Sequence, residues 1–216
     1  MPENPPLSFF QRALGAMGFR KSAMRRQAFW DWFQRNEERL FTFQSRSAWQ
    51  AINKETAAEL EKVHPDLTYE CGGVQENGRR EFAIGANGDA TLFPEVEALC
   101  AVAPSLPRWN IVKFRQPREA ADLAFHATLV EARSLKVAAK PGRYGINLVI
   151  YVPGYTVAEH EGYRRVVSEM LVQALGEYDR ATRIDKVELQ TDDARKGKTC
   201  SLLELPHALD AISPRS

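Results

Sequence analysis

Cysteine is scarce: the 216 residues hold three, Cys71, Cys100 and Cys200, far apart and odd in number. That excludes a disulfide framework and a close-spaced zinc cluster, and it suits a reducing compartment. Each lies in an apolar neighbourhood and reads as a small buried hydrophobe. Long apolar runs are missing too, none approaching the ~18 residues that cross a membrane. Charge of one sign is also lacking. Lys plus Arg numbers 29 and Asp plus Glu 28, so no global field steers the chain onto nucleic acid or an anionic surface.

Motifs of catalysis are absent as well. There is no G-x-S-x-G, and Gly72-Gly73 and Gly85 to Gly88 lack the Lys-Ser/Thr of a phosphate loop. His64, His126, His160 and His207 are isolated, and His160 has no second His four residues on, as a zinc-protease helix requires. Neither a metal nor a cofactor is expected. The N-terminal LSFFQRALGAMGF is interrupted by Gln11 and Arg12 and closes on no cleavage signal, so no signal peptide is read and a cytoplasmic location is expected.

What is present is an ordinary globular composition, 44% hydrophobic, with an unequal charge distribution. Residues 1–27 carry five basic residues against Glu3 alone, a formal +4, leaving −3 for the remainder of a chain whose net charge is +1. This basic leader is either a loose or self-packed end, or an amphipathic segment that docks weakly on a membrane or a partner. From Ala28, Phe29, Trp32, Phe33, Leu40 and Phe41 recur at helical spacing. A second helix is announced by Ser47 with Gln50 three residues on, buries Trp49, Ile52, Thr56 and Leu60, and stops at Pro65.

Alternation then takes over. Leu67 to Cys71 and Phe82 to Ile84 flank Asn77-Gly78, a dipeptide that tolerates positive φ, and together predict a β-hairpin. Pro94 opens a helix over Val96, Leu99 and Cys100, Pro104 and Pro107 end it, and Asn110 to Arg115 follows as a strand. After a polar connection come strands over 128–137 and 145–152, then a long helix from 157 to 175 that Gly176 caps. Glu177 to Asp179 reads as a polar loop, with strands at 184–190 and 201–205 beyond it. The order predicts an α+β fold: a largely antiparallel sheet of two ββαβ-type units, helices on one face, preceded by two helices. One domain is expected over 28–216, with pseudo-halves near 28–118 and 119–216.

The phrases FWDWFQRNEERLF, FAIGANGDATLFPEVEALCAVAP, WNIVKFRQPR and LGEYDRATRIDKVEL, spanning about residues 29 to 205, resemble those of a bacterial family of uncharacterised proteins, a domain of unknown function. The resemblance implies a single compact α+β domain and brings no activity with it. The basic leader lies outside it.

For chemistry, strand alternation sets Glu70, Arg80, Lys113 and Arg115 opposite the apolar positions. An acid and several cations on one sheet face make either an anion site, for which Arg supplies a bidentate fork, or ordinary cross-strand pairs. His126 joins them as a candidate ligand or base. The leading expectation is a non-catalytic interaction or ligand-binding protein, its partner a protein or a small anionic ligand. The alternative is a small hydrolase or transferase that clamps an anion with Glu70, Arg80 and Arg115. Asn147, Val149 and Tyr151 read as an outward strand face without the motif of an RNA-binding sheet, which argues against nucleic acid.

Overall fold

The computed structural model describes residues 9–43, 45–125 and 128–212. Contacts divide the chain into two units, Met1–Ile84 with Pro94–Ile111 and Gly85–Phe93 with Val112–Ser216. This differs from the expected halves because the segment 85–93 packs with residues that follow it much later in the chain. Among the described residues, no helix is long and apolar enough to cross a membrane.

The first unit opens with α1 (Phe9–Arg35), which runs unbroken through position 27, with no proline along its length to stop it. After α2 (Glu37–Phe41) comes α3 (Arg46–Glu61), whose N-cap is Ser45 rather than Ser47, its side chain accepting from the Ala48 N–H. Trp49 consequently lies on the outer side of α3 and is 41% exposed. The strands β1 (Thr68–Val74) and β2 (Arg80–Gly85) follow, then α4 (Phe93–Ala101) and β3 (Trp109–Lys113), in a sheet ordered β1-β2-β3. Gly78 makes the turn between β1 and β2 at φ 75°.

The core of this unit is aromatic. Phe29, Trp30 and Phe33 of α1 are buried with Phe82 and Trp109. Phe33 meets Phe82 and Trp109 edge-on at centroid distances of 4.9 and 5.0 Å, a geometry worth about 0.5–1.5 kcal/mol per pair beyond burial. The indole N–H of Trp30 is satisfied by the Leu99 carbonyl at 2.8 Å, and that of Trp109 by Glu37 at 2.9 Å.

In the second unit the segment from Val112 leads to the hairpin β4 (Leu123–Phe125) and β5 (Thr128–Val130). The expected strand over 128–137 is broken by a turn at Ala132–Ser134, after which β6 (Lys136–Pro141) pairs antiparallel with β7 (Ile146–Val152). Then come α5 (His160–Leu175), α6 (Glu177–Arg183) where a loop is expected, and β8 (Ile184–Thr191), which lies parallel to β7. The predicted strand at 201–205 shrinks to β9 (Cys200–Ser201) and gives way to α7 (Leu205–Ile212), because Leu205 and Leu209 recur at helical spacing and are both fully buried. Sheet order is β8-β7-β6-β9. Val137, Leu148, Ile150, Val166, Met170, Leu171 and Leu189 belong to one apolar core with the α7 leucines. Tyr151, expected to face outward, is only 5% exposed.

Among the described residues of this second unit, the most deeply buried charged side chain is that of Glu177. Glu177, the first residue of α6, is fully buried; its Oε1 accepts from the backbone N–H of Ala86 at 2.7 Å and of Gly88 at 2.9 Å. Its Oε2 accepts from the Arg115 N–H at 3.3 Å, and its own N–H donates to the Arg115 carbonyl at 2.9 Å. Asn87 and Gly88 take φ of 52° and 81°, a turn in which the N–H groups of Ala86 and Gly88 both meet the carboxylate and hold it as an anion.

Two outcomes follow. A Cβ at Gly85 would collide with the Glu177 carboxylate, whereas one at Gly73 meets nothing within 4 Å. Gly85→Ala should therefore cost roughly 1–3 kcal/mol and Gly73→Ala within about 0.5 kcal/mol, read from urea midpoints. In the first unit, Arg108 holds the Glu37 carboxyl below its ordinary value, with the Trp109 N–H helping against burial. A depressed carboxyl contributes stability above the usual carboxylate range of about 4.3 and loses it as pH falls through the lowered value. Glu37→Gln should flatten that acid limb when unfolding is followed by tryptophan fluorescence; an unchanged acid limb would contradict this.

Candidate functional site

The residues expected to form a site do not stand as an open charged platform. Arg80 is 7% exposed, donates to the Leu40 carbonyl at 3.0 Å, and lies 4.9 Å over Phe43 and 5.5 Å from the Phe41 ring centroid. Its guanidinium is held among aromatics because α2 and the segment after it close over that end of β2. Cys71 lies beside it, and burial pushes that thiol up while Arg80 pulls it down. Glu70 is half-buried on β1, and Lys113 is exposed at the end of β3. Arg115 falls just beyond that strand, where its Nη1 reaches Glu169 of α5 at 2.9 Å. It is an ion-paired strut. His126 lies outside the described residues.

A different set converges in the second unit. One side of α5 from His160 to Leu171, Arg180 in the middle of α6 and the core side of β8 line a cavity of about 230 Å³, bounded by His160, Arg164, Val167, Ser168, Leu171, Arg180, Val187 and Leu189. Half of that lining is aliphatic and half polar, and the ionisable groups in it are basic.

Local structure explains the placement. Helical spacing puts His160, Arg164, Val167, Ser168 and Leu171 on neighbouring positions of one side of α5. Gly176 ends α5 at φ 78°, where a side chain would press on Pro117, and the chain re-enters a helix at once with the buried Glu177. Arg180 follows one turn later, and Val187 and Leu189 alternate along β8 toward the same core.

Arg180 and Arg183 differ sharply although they share α6. Arg183 reaches Asp210 at 2.7 Å and Asp179 at 3.2 Å, which ties α6 to α7. Arg180 has no such partner among the described residues, and its Nε is sealed from solvent without a hydrogen bond. Burial pushes its guanidinium below its ordinary value, with no carboxylate acting in the opposite direction. An arginine remains charged through the neutral range, so the result is an uncompensated, partly desolvated cation facing a hollow.

The other polar groups are arranged around it. Arg164 pairs with Glu161 at 2.8 Å on the exposed rim. His160 Nδ1 is engaged by the Tyr155 hydroxyl at 2.9 Å, which leaves Nε2 as the ring nitrogen available to the cavity. A larger groove of about 440 Å³, lined by residues including Pro117, Arg118, Glu119 and Leu203, lies in the same unit. Arg118 and Glu119 are exposed, so water already solvates the charges of that groove.

His160, Ser168 and Arg180 were not singled out as a set by their positions in the chain. Only α6 itself left a trace: Glu177 and Asp179 in its first turn and Arg180 and Arg183 in its last complement a helix dipole. No family model, curated protein or solved structure matches this chain.

The contrast between the two arginines makes a stability test. Arg180→Met should leave stability unchanged or raise it by up to about 1 kcal/mol, since an unpaired desolvated charge is removed and solvent screens part of it. Arg183→Met should lower it by about 1–3 kcal/mol through loss of two carboxylate contacts. Equal losses for both in thermal unfolding would mean that Arg180 is a structural residue.

Proposed function

We propose that this protein is a non-catalytic cytoplasmic binder of a small organic anion, held in the cavity between α5, α6 and β8. The observation that carries the reading is Arg180, a guanidinium with a buried, unbonded Nε in the wall of a concave site. Folding leaves that desolvation uncompensated, and a bound anion would offset it through charge-assisted hydrogen bonds. Arg164 and Ser168 supply further donors and His160 Nε2 one more polar atom, while Val167, Leu171, Val187 and Leu189 suit an apolar body on the ligand. At about 230 Å³ the cavity is smaller than the roughly 300–1,000 Å³ of drug-sized pockets, so the ligand is a compact one.

Binding is favoured over nucleophilic catalysis by the bond that His160 makes. Its Nδ1 is engaged by Tyr155, and no hydrogen bond joins His160 to Ser168 among the described residues. An activated serine requires its base within hydrogen-bond reach.

Calorimetric titration with phenylphosphonate, benzoate and benzyl alcohol tests the reading. At least one of the two anions should bind while the neutral alcohol does not, with affinity falling as salt is raised. Arg180→Met should weaken that binding by roughly tenfold or more, equivalent to about 1.4 kcal/mol. Binding that Arg180→Met leaves unchanged, or the failure of both anions to bind, would overturn it.

A further inference from the structure

The outer strand of the four-stranded sheet carries a second reading, independent of the cavity. β8 shares its backbone ladder with β7 alone, and no backbone hydrogen bond from outside the sheet reaches residues 185–190 among the described residues. It is one of the two longest strands of this sheet by its span, Ile184–Thr191, and so presents a row of donors and acceptors suited to one more strand.

Its side chains specify which strand. Val187 and Leu189 point to the core, while Lys186 and Glu188 are exposed on the other face. When a second copy of β8 is laid antiparallel about a twofold axis through Val187, each Lys186 stands opposite the Glu188 of the other copy, so the two cross-strand pairs are both attractive. The neighbouring symmetric registers are rejected by charge. An axis through Lys186 sets lysine against lysine, and one through Glu188 sets glutamate against glutamate. A register moved by one residue would bring core-facing side chains opposite solvent-facing ones. The register shift that sets Ile184 against Ile146 but Lys186 against Asn147 leaves Asp185 as a bulge, which confines regular pairing to the segment around Val187.

We infer that the chain forms a symmetric homodimer through antiparallel pairing of β8 with β8, in the register centred on Val187. The alternation Lys-Val-Glu makes this edge complementary to itself, where a run of one charge would repel a second copy.

Light scattering coupled to size exclusion, on the full chain over about a hundredfold range of concentration, reads the outcome. Wild type should rise with concentration toward twice the 24.4 kDa of one chain. Lys186→Glu and Glu188→Lys, each alone, should weaken self-association roughly tenfold or more, because both pairs turn from attractive to repulsive. An equimolar mixture of the two variants should restore association as a heterodimer, since every cross-strand pair between them is again of opposite sign. That restoration excludes misfolding as the cause of the single-variant losses. A monomeric wild type, single variants that associate like wild type, or a mixture that stays monomeric would each overturn the proposal.

Discussion

The second unit depends on one buried carboxylate. Glu177 gathers backbone N–H groups from Ala86, Gly88 and Arg115, and so holds together three stretches that lie far apart in the chain. A charge taken wholly out of water is costly unless hydrogen bonds replace its hydration, and these donors do so. The return is positional. With its first residue sealed into that cradle and Gly176 turning the chain directly before it, α6 has little freedom in where it points its next turn.

That fixed orientation gives the two arginines of α6 different roles. Arg183 is spent on Asp179 and Asp210, which fastens the far end of the helix to α7. Arg180, between the two anchors, is held over a hollow with its Nε sealed and unbonded. Natural cores seldom leave such a group without compensation; Arg80 Nε is sealed and unbonded too, but there the Phe41 and Phe43 rings flank the guanidinium, whereas Arg180 lines a hollow. Support on both sides also lowers the entropy lost on binding, because the helix that carries the guanidinium is already placed when a ligand arrives.

Much of the architecture is legible from spacing. The stripe of α5 over Tyr163, Val166, Val167, Met170 and Leu171, the turn at Asn77-Gly78, and the prolines after α4 all follow local rules, and they are enough to reach an α+β fold with helices before the sheet. The site is not legible, because its decisive facts are long-range. Glu177 follows a capping glycine and sits beside Tyr178 and Asp179, so it looks like loop polarity until the donors 62 to 91 residues away are in place. Arg80 alternates correctly along β2 yet is covered by aromatics from α2 and beyond, which no strand pattern reports. The lack of a partner for Arg180 is a property of three elements together. Isolated histidines misled for a related reason: His160 gains meaning only beside Tyr155 and the arginines.

The most direct measurement is a crystal structure with a bromine-labelled aryl phosphonate, located by anomalous scattering. The account predicts bromine among Val167, Leu171, Val187 and Leu189, with the phosphonate within hydrogen-bond distance of Arg180 and the Glu177 cradle undisturbed. A cavity left without the anion, or Arg180 closed onto a carboxylate of its own chain, would contradict it.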